Sequence, residues 1–170
     1  MVTKGLDFDN VYLVGILDAD MLLNRPDFRA YERSYQLMSQ VAGRAGRQGK
    51  QGKVIVQTGD PDHWVLQLVG QHDYEQFYEN EIIERKNYHY PPYYKLISFT
   101  LKHENIHTLD ASSEYLAELL KNVFKERIIG PEYPLVQKIR NKFLKTIKLK
   151  IEKNAPDLKV KQKIKEIIEN

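Results

Sequence analysis

Arg44 and Arg47 stand three residues apart in the stretch Gln40-Val41-Ala42-Gly43-Arg44-Ala45-Gly46-Arg47. A guanidinium is permanently charged and its planar fork matches phosphate oxygens. Two of them one turn apart at the end of a helix can therefore stabilise a transferring phosphoryl group. Gly43 and Gly46 leave room for close backbone approach. The same octapeptide also reads as an ordinary helix stop, with arginines set against the macrodipole and a glycine ending the helix. The segments on either side have to decide between the two.

Asn10 to Leu17 (NVYLVGIL) is a short, nearly continuous apolar run that ends in Asp18-Ala19-Asp20. That pattern predicts a parallel strand buried on both faces, with an acidic tip emerging at its C-terminal end. Pro26 and Asp27 then open a helix whose apolar positions Phe28, Tyr31, Tyr35, Met38 and Ala42 recur at intervals of three to four, until the region from Gly43 to Gly52 breaks it. Lys53 to Thr58 (KVIVQT) is the next strand, which completes a βαβ unit; two strands alone make a poor sheet, so further strands are expected upstream. Asp60 is expected as an N-cap before Pro61, and Trp64, Leu68, Tyr74, Phe77, Tyr78 and Ile82 suggest one or two helices through Lys86. Glu75, Glu79, Glu81 and Glu84 would line the opposite, solvated face.

Tyr88-His89-Tyr90-Pro91-Pro92-Tyr93-Tyr94 reads as a linker, since consecutive prolines interrupt both helix and central strand. Its tyrosines could stack on nucleobases or bolt the linker onto a core. Beyond it, Lys95 to Leu101 alternates as a strand, Ser113 to Phe124 is amphipathic, and Ile128-Ile129-Gly130-Pro131 runs as a short strand into a turn. Phe143 to Ile151 places Phe143, Ile147, Leu149 and Ile151 on one side and Lys142, Lys148 and Lys150 on the other. Val160, Ile164, Ile167 and Ile168 form the stripe of a last helix. The order β, α, β, β, α is a split βαβ pattern of the ferredoxin-like kind without its final strand. The expected fold class is thus α/β, an incomplete βαβ unit followed by a small α+β domain. The expected division is residues 1–60, a helical connector and Pro-rich linker over residues 61–91, and a second domain over residues 92–170.

Composition narrows the chemistry. The 170 residues are 42% apolar and 29% charged, as in globular proteins generally. The absence of cysteine removes any disulfide framework, Cys-ligated zinc or thiol nucleophile. His63, His72, His89, His103 and His107 show no metal-ligand spacing. The sequence shows no signal peptide, and no apolar run approaches the ~20 residues that span a bilayer, so a cytoplasmic location is expected. Charge is uneven: residues 131–170 hold 11 basic and 5 acidic side chains, against 15 and 18 in residues 1–130. Seven of those positive charges, Lys138, Arg140, Lys142, Lys145, Lys148, Lys150 and Lys153, fall within sixteen residues, a density suited either to a polyanion or to a solvated surface.

Residues 1–60 resemble the end of the second RecA-like lobe of superfamily 2 helicases. Thr3-Lys4-Gly5-Leu6-Asp7-Phe8 resembles motif V, and Gln40 to Arg47 resembles motif VI. Asp18-Ala19-Asp20, Pro26-Asp27-Phe28-Arg29-Ala30, Glu32-Arg33 and QVAGRAGRQGKQGKVIVQT follow in the arrangement of the bacterial replication-restart helicases. Pro91-Pro92 and Ile129-Gly130-Pro131 extend the likeness into the C-terminal domain of that family, closely before residue 92 and loosely after residue 135. The resemblance implies that Gly5 and Asp7 approach a nucleotide, that Thr3 and Lys4 touch a DNA strand, that Arg44 and Arg47 reach the γ-phosphate, and that Gln40 couples ATP state to lobe closure. It implies an S10-like second domain binding DNA, with Arg140, Lys142, Lys148 and Lys150 as the basic face. Single-stranded or forked DNA, primosome proteins and single-strand-binding proteins are the implied partners, and ATP with Mg²⁺ the implied cofactors.

Zinc is expected only in an upstream cysteine-rich region. No G-x-x-x-x-G-K-[ST] phosphate loop or acidic Mg²⁺ box occurs in the sequence, so the chain by itself is expected to lack ATPase activity. The alternative is a non-catalytic module that binds nucleic acid or a partner protein through residues 92–170.

Overall fold

A computed structural model describes residues 11–45 and 52–169. The fold is mixed α/β, with one parallel and one antiparallel sheet, in two compact units: residues 1–84 and residues 85–170.

In the first unit, β1 (Leu13–Ile16) pairs in parallel with β2 (Lys53–Val56), Leu13 opposite Lys53 and Ile16 opposite Val56. The crossover between them carries α1 (Ala19–Leu23) and α2 (Ala30–Ala42). α3 (Trp64–Gln71) and α4 (Tyr74–Asn87) follow, and the division between units falls in the last turns of α4. The core joins Ala19 and Leu23 of α1 to Tyr35 and Met38 of α2 and to Val65, Leu68, Val69 and Phe77, with Tyr31 packed against it, so α2 buries the middle of the stripe its periodicity predicts, while Phe28 precedes the helix. Tyr35 and Phe77 stack at 4.3 Å between ring centroids, and Trp64 and Phe77 at 5.7 Å.

Three expectations are corrected here. β1 is not buried on both faces: Leu13 is 54% exposed and Ile55 of β2 58%, because the described sheet has two strands and helices cover only one side of it. Asp60 does not cap a helix. Residues Asp60 to His63 form a turn, and α3 starts at Trp64, with His63 Nδ1 accepting from Val65 N–H at 3.2 Å. Glu81, placed with the solvated carboxylates, is buried at 6% exposure, since α4 turns Glu81 inward together with Phe77, four residues earlier.

The second unit runs β3 (Tyr94–His103), α5 (Ile106–Phe124), a 3₁₀ turn (Lys125–Arg127), β4 (Ile128–Glu132), β5 (Lys138–Ile139), β6 (Lys142–Glu152) and α6 (Asp157–Glu169). β6 lies between β3 and β4 and is antiparallel to both, so the β3–α5–β4 crossover is split by the strand that follows it. No strand pairs the other edge of β3 among the described residues. Ile147, Leu149 and Ile151 of β6 pack on Ala117, Leu120 and Phe124 of α5 and on Ile128, with Val160, Ile164 and Ile167 of α6 half-buried at the rim.

α5 starts seven residues earlier than its apolar stripe suggests, because Asn105 caps it: Asn105 Oδ1 accepts from Thr108 N–H at 3.1 Å. Gly130 holds φ at 94° where β4 bulges against β6. A Cβ there would stand 2.8 Å from the Thr146 carbonyl oxygen, so the position admits only glycine. Arg127 closes the sheet end with a two-pronged ion pair to Glu152, at 2.6 Å and 3.0 Å.

Truncating the middle of β6 tests this core. Leu149→Ala, at a fully buried site, is expected to lower unfolding free energy by about 2–5 kcal/mol. Ile55→Ala, on the open face of β2, is expected to cost less than about 1 kcal/mol. Urea denaturation midpoints of the two variants read the difference.

Candidate functional site

α2 leads at its C-terminus into the arginine-bearing stretch. It enters through a local staple: Arg33 Nη1 meets Asp27 Oδ2 at 2.6 Å, and Arg29 Nε meets Glu32 Oε2 at 3.0 Å. The motif-like residues Asp27, Arg29, Glu32 and Arg33 therefore fix the start of the helix. At the other end α2 stops at Ala42; Gly43 N–H bonds back to Ser39, Arg44 N–H to Val41 and Ala45 N–H to Ala42. Arg44 thus stands in the turn after the helix, half-buried, and Gln40 is exposed four residues before it on the last turn of α2. Gly43 has an ordinary helical φ of −65°, and a Cβ there would meet Ser39 O at 3.4 Å, an ordinary contact. Nothing within the fold demands glycine there. Arg47, Thr3, Lys4, Gly5 and Asp7 lie outside the described residues.

The acidic tip of β1 works within the fold. Asp18, at φ 53°, caps α1 by accepting from Met21 N–H at 3.1 Å. Asp20 accepts from Thr58 Oγ1 at 2.5 Å and from Gly59 N–H at 2.8 Å, pinning the segment after β2 to α1. Those two bonds, Thr58 first, hold its carboxyl below the usual carboxylate range. Sequence reasoning identified this carboxylate as a tip but missed its anchor. The signal available was Thr58-Gly59, two donors at the end of the strand paired with β1.

The C-terminal lysines separate into classes. Lys145, counted within the basic run, is only 7% exposed, because its odd position on β6 turns it toward α5. It lies 2.9 Å from Asp110 and 3.5 Å from Glu114, and 5.0 Å from the Tyr133 ring centroid. Burial works against the Lys145 ammonium, but the hydrogen bond and charge of Asp110, with Tyr133 and Glu114, outweigh it and raise its pKa. Lys148 pairs with Glu132. Lys150 donates to the Tyr88 carbonyl at 2.6 Å and sits 3.7 Å from the Tyr90 ring centroid, and burial, then the charge of Lys148, lowers its pKa. This clasp ties the Tyr-Pro turn to β6. Arg140 and Lys142 are exposed on the β5–β6 hairpin, remote from that clasp.

Among the described residues no three His, Cys, Asp or Glu side chains cluster to hold a metal ion, and no helix is long and apolar enough to cross a membrane. Three of the five histidines serve local structure: His63 caps α3, His89 packs on Tyr94 at 4.5 Å, and His103 Nδ1 accepts from Asn105 N–H at 3.0 Å.

No protein-family profile matches the chain. It is 42% identical over 145 residues to the replication restart protein PriA of Bacillus subtilis, a match covering 84% of the chain and 18% of that relative. It is 36% identical over 145 residues to the PriA of Synechocystis, covering 84% of the chain and 17% of the relative. With the PriA of Borreliella burgdorferi the identity is 32% over 145 residues, covering 84% and 22%. The chain belongs to the PriA family. It spans about a fifth of the length of these PriA relatives. Since 84% of 170 residues leaves about 27 outside the match, the Gln40–Arg47 stretch lies within the region shared with PriA wherever that region begins.

Two measurements test the internal roles. Asp20 has a lowered pKa in the fold, so it contributes stability above its ordinary value of 3.8 and loses it as pH falls through the lower folded value. Asp20→Asn keeps the shape but cannot titrate, so its urea midpoint is expected to fall less steeply than that of the parent below about pH 4. Lys150→Ala, which removes the Tyr88 and Tyr90 contacts, is expected to cost about 1–2 kcal/mol in the same assay at neutral pH.

Proposed function

We propose that this chain is part of an ATP-driven DNA helicase that restarts stalled replication forks. In this reading the first unit is the end of a RecA-like motor lobe, and the second is a ferredoxin-like, S10-like domain that contacts DNA. The observation that carries it is the identity to PriA across the arginine-bearing turn, together with the position of that turn. α2 ends with Gln40 exposed, and Arg44 follows in a turn free of regular structure.

The chemistry expected of such a site is electrostatic. Phosphoryl transfer builds negative charge on the equatorial and leaving oxygens, and a guanidinium placed there stabilises the transition state more than the ground state. Arg44 takes that role, with Arg47 as its second cation and Gln40 sensing closure of the cleft; Gly5 and Asp7 approach the nucleotide, and Thr3 and Lys4 the DNA strand. Mg·ATP is the fuel, held by a phosphate loop that this sequence does not contain. The chain alone therefore has no ATPase activity in this reading. The split crossover of β3, α5 and β4 around β6 supports the ferredoxin-like assignment of the second unit.

In a protein carrying both motor lobes, Arg44→Ala is expected to reduce DNA-stimulated ATP turnover by about tenfold to a thousandfold, with DNA affinity largely retained. Steady-state ATPase assays with and without single-stranded DNA, beside a DNA-binding titration, measure both. Turnover equal to the parent would remove Arg44 from the fuel site.

A further inference from the structure

The helical repeat of α4 turns Phe77 and Glu81 inward. It leaves Tyr74 and Tyr78, four residues apart, on one outward row, with Glu75 and Glu79 on the row beside it. Tyr74 is 58% exposed and Tyr78 52%. The Tyr74 ring is nonetheless held in place, 5.9 Å from the Tyr35 ring centroid and 6.4 Å from those of Phe77 and Tyr78. An exposed ring fixed by its neighbours loses little freedom when something docks on it, which is the property of an interface anchor.

Charge selects the occupant. Between Lys53 and Arg85 the sequence carries seven carboxylates and no lysine or arginine, although the chain as a whole has a net charge of +3. Glu75 and Glu79 are exposed, and neither makes an ion pair or a side-chain hydrogen bond among the described residues. The cations of α4, Arg85 and Lys86, come about two turns after Glu79. Such a surface repels a phosphodiester backbone and attracts cationic side chains.

A tyrosine row beside a glutamate row suits arginine. A planar guanidinium stacks on a tyrosine ring while its N–H fork reaches the neighbouring carboxylate, and an ammonium has no such fork. Along α4 the Tyr–Glu pairs repeat every four residues, about 6 Å. Alternate residues of an extended chain repeat at about 6.6 Å, so two arginines separated by one residue fall in step with them. We propose that this face of α4, led by Tyr74, Glu75, Tyr78 and Glu79, docks an extended arginine-x-arginine segment of a partner protein. These residues belong to the first unit and lie apart from the Arg44 turn in sequence, so such docking needs no helicase activity.

The test titrates the full chain into a fluorescein-labelled peptide with arginine at alternate positions among glycines, read by fluorescence anisotropy, beside peptides carrying lysine or glutamate instead. The arginine peptide is expected to bind several-fold more tightly than the lysine peptide, the glutamate peptide not at all, and affinity to fall with salt. Glu75→Gln with Glu79→Gln is expected to weaken binding about fivefold or more, and Tyr74→Ala with Tyr78→Ala by a similar factor. Tyr74→Phe with Tyr78→Phe keeps the rings and should bind as the parent does. Glu118→Gln with Glu126→Gln, two exposed carboxylates of the second unit, removes the same charge elsewhere and should leave affinity unchanged. Thermal melts check folding; if the alanine pair does not fold, the glutamine pair at 75 and 79, which leaves the rings in place, decides. A parent that ignores the arginine peptide, a Glu75 and Glu79 variant that binds as the parent does, or an equal loss in the Glu118 and Glu126 variant overturns the site. Sedimentation velocity reads the other occupant: concentration-dependent dimers lost in the Glu75 and Glu79 variant would give the face to a second copy of the chain and overturn the partner assignment. Binding by this chain that disappears in a protein carrying both motor lobes would give the face to an internal contact, with the same consequence.

Discussion

Along β6, successive side chains point to opposite sides of the sheet, and one side must be buried against α5. That constraint organises the second unit. It places Ile147, Leu149 and Ile151 in the core, and it draws Lys145 inward with them. An ammonium on the covered side needs compensation, which Asp110, Glu114 and the Tyr133 ring supply. Tyr133 donates to Asp110 at 2.5 Å, so the segment after β4 is held to α5 through the same carboxylate. Both Tyr133 and Lys145 hold the Asp110 carboxyl below its usual range. A lysine that reads as part of a basic surface is thereby a fastening between a sheet and a helix.

The first unit follows a different constraint. A parallel pair needs a crossover, and here α1 and α2 supply it, burying Ala19, Leu23, Tyr35 and Met38 together. Two carboxylates at the end of β1 then have separate tasks. Asp18 starts α1 and Asp20 binds the chain as it leaves β2. The effect is to fix both strand ends relative to the helices, leaving the end of α2 to carry the arginine-bearing turn. The opposite face of β1 and β2 stays exposed and apolar.

Much of the fold was legible because periodicity is local. The stripe from Tyr31 to Met38 and the alternation from Phe143 to Ile151 each reflect one residue's geometry relative to its near neighbours. What could not be read was set by competition between local signals. Asp60-Pro61 has the composition of a helix start, yet His63 takes the cap and the earlier residues make a turn. The β5–β6 hairpin was missed because Arg140 is an uncommon residue at positive φ, and only the pairing of Ile139 with Lys142 reveals the turn. Glu81 reads as surface because it is one of four carboxylates between Glu75 and Glu84, while its burial comes from the helix phase that also buries Phe77.

The amino-acid sequence alone determined the element types, the family likeness and the residue kinds able to grip phosphate, since these depend on side-chain chemistry and spacing along the chain. Which cations are available was decided only in three dimensions. Lys142, Lys145, Lys148 and Lys150 are alike as letters, but their freedom depends on partners 35 and 62 residues away along the chain: Asp110 for Lys145 and Tyr88 for Lys150. Electrostatic pairing acts through distance in space, and the folding of β6 between β3 and β4 sets those distances.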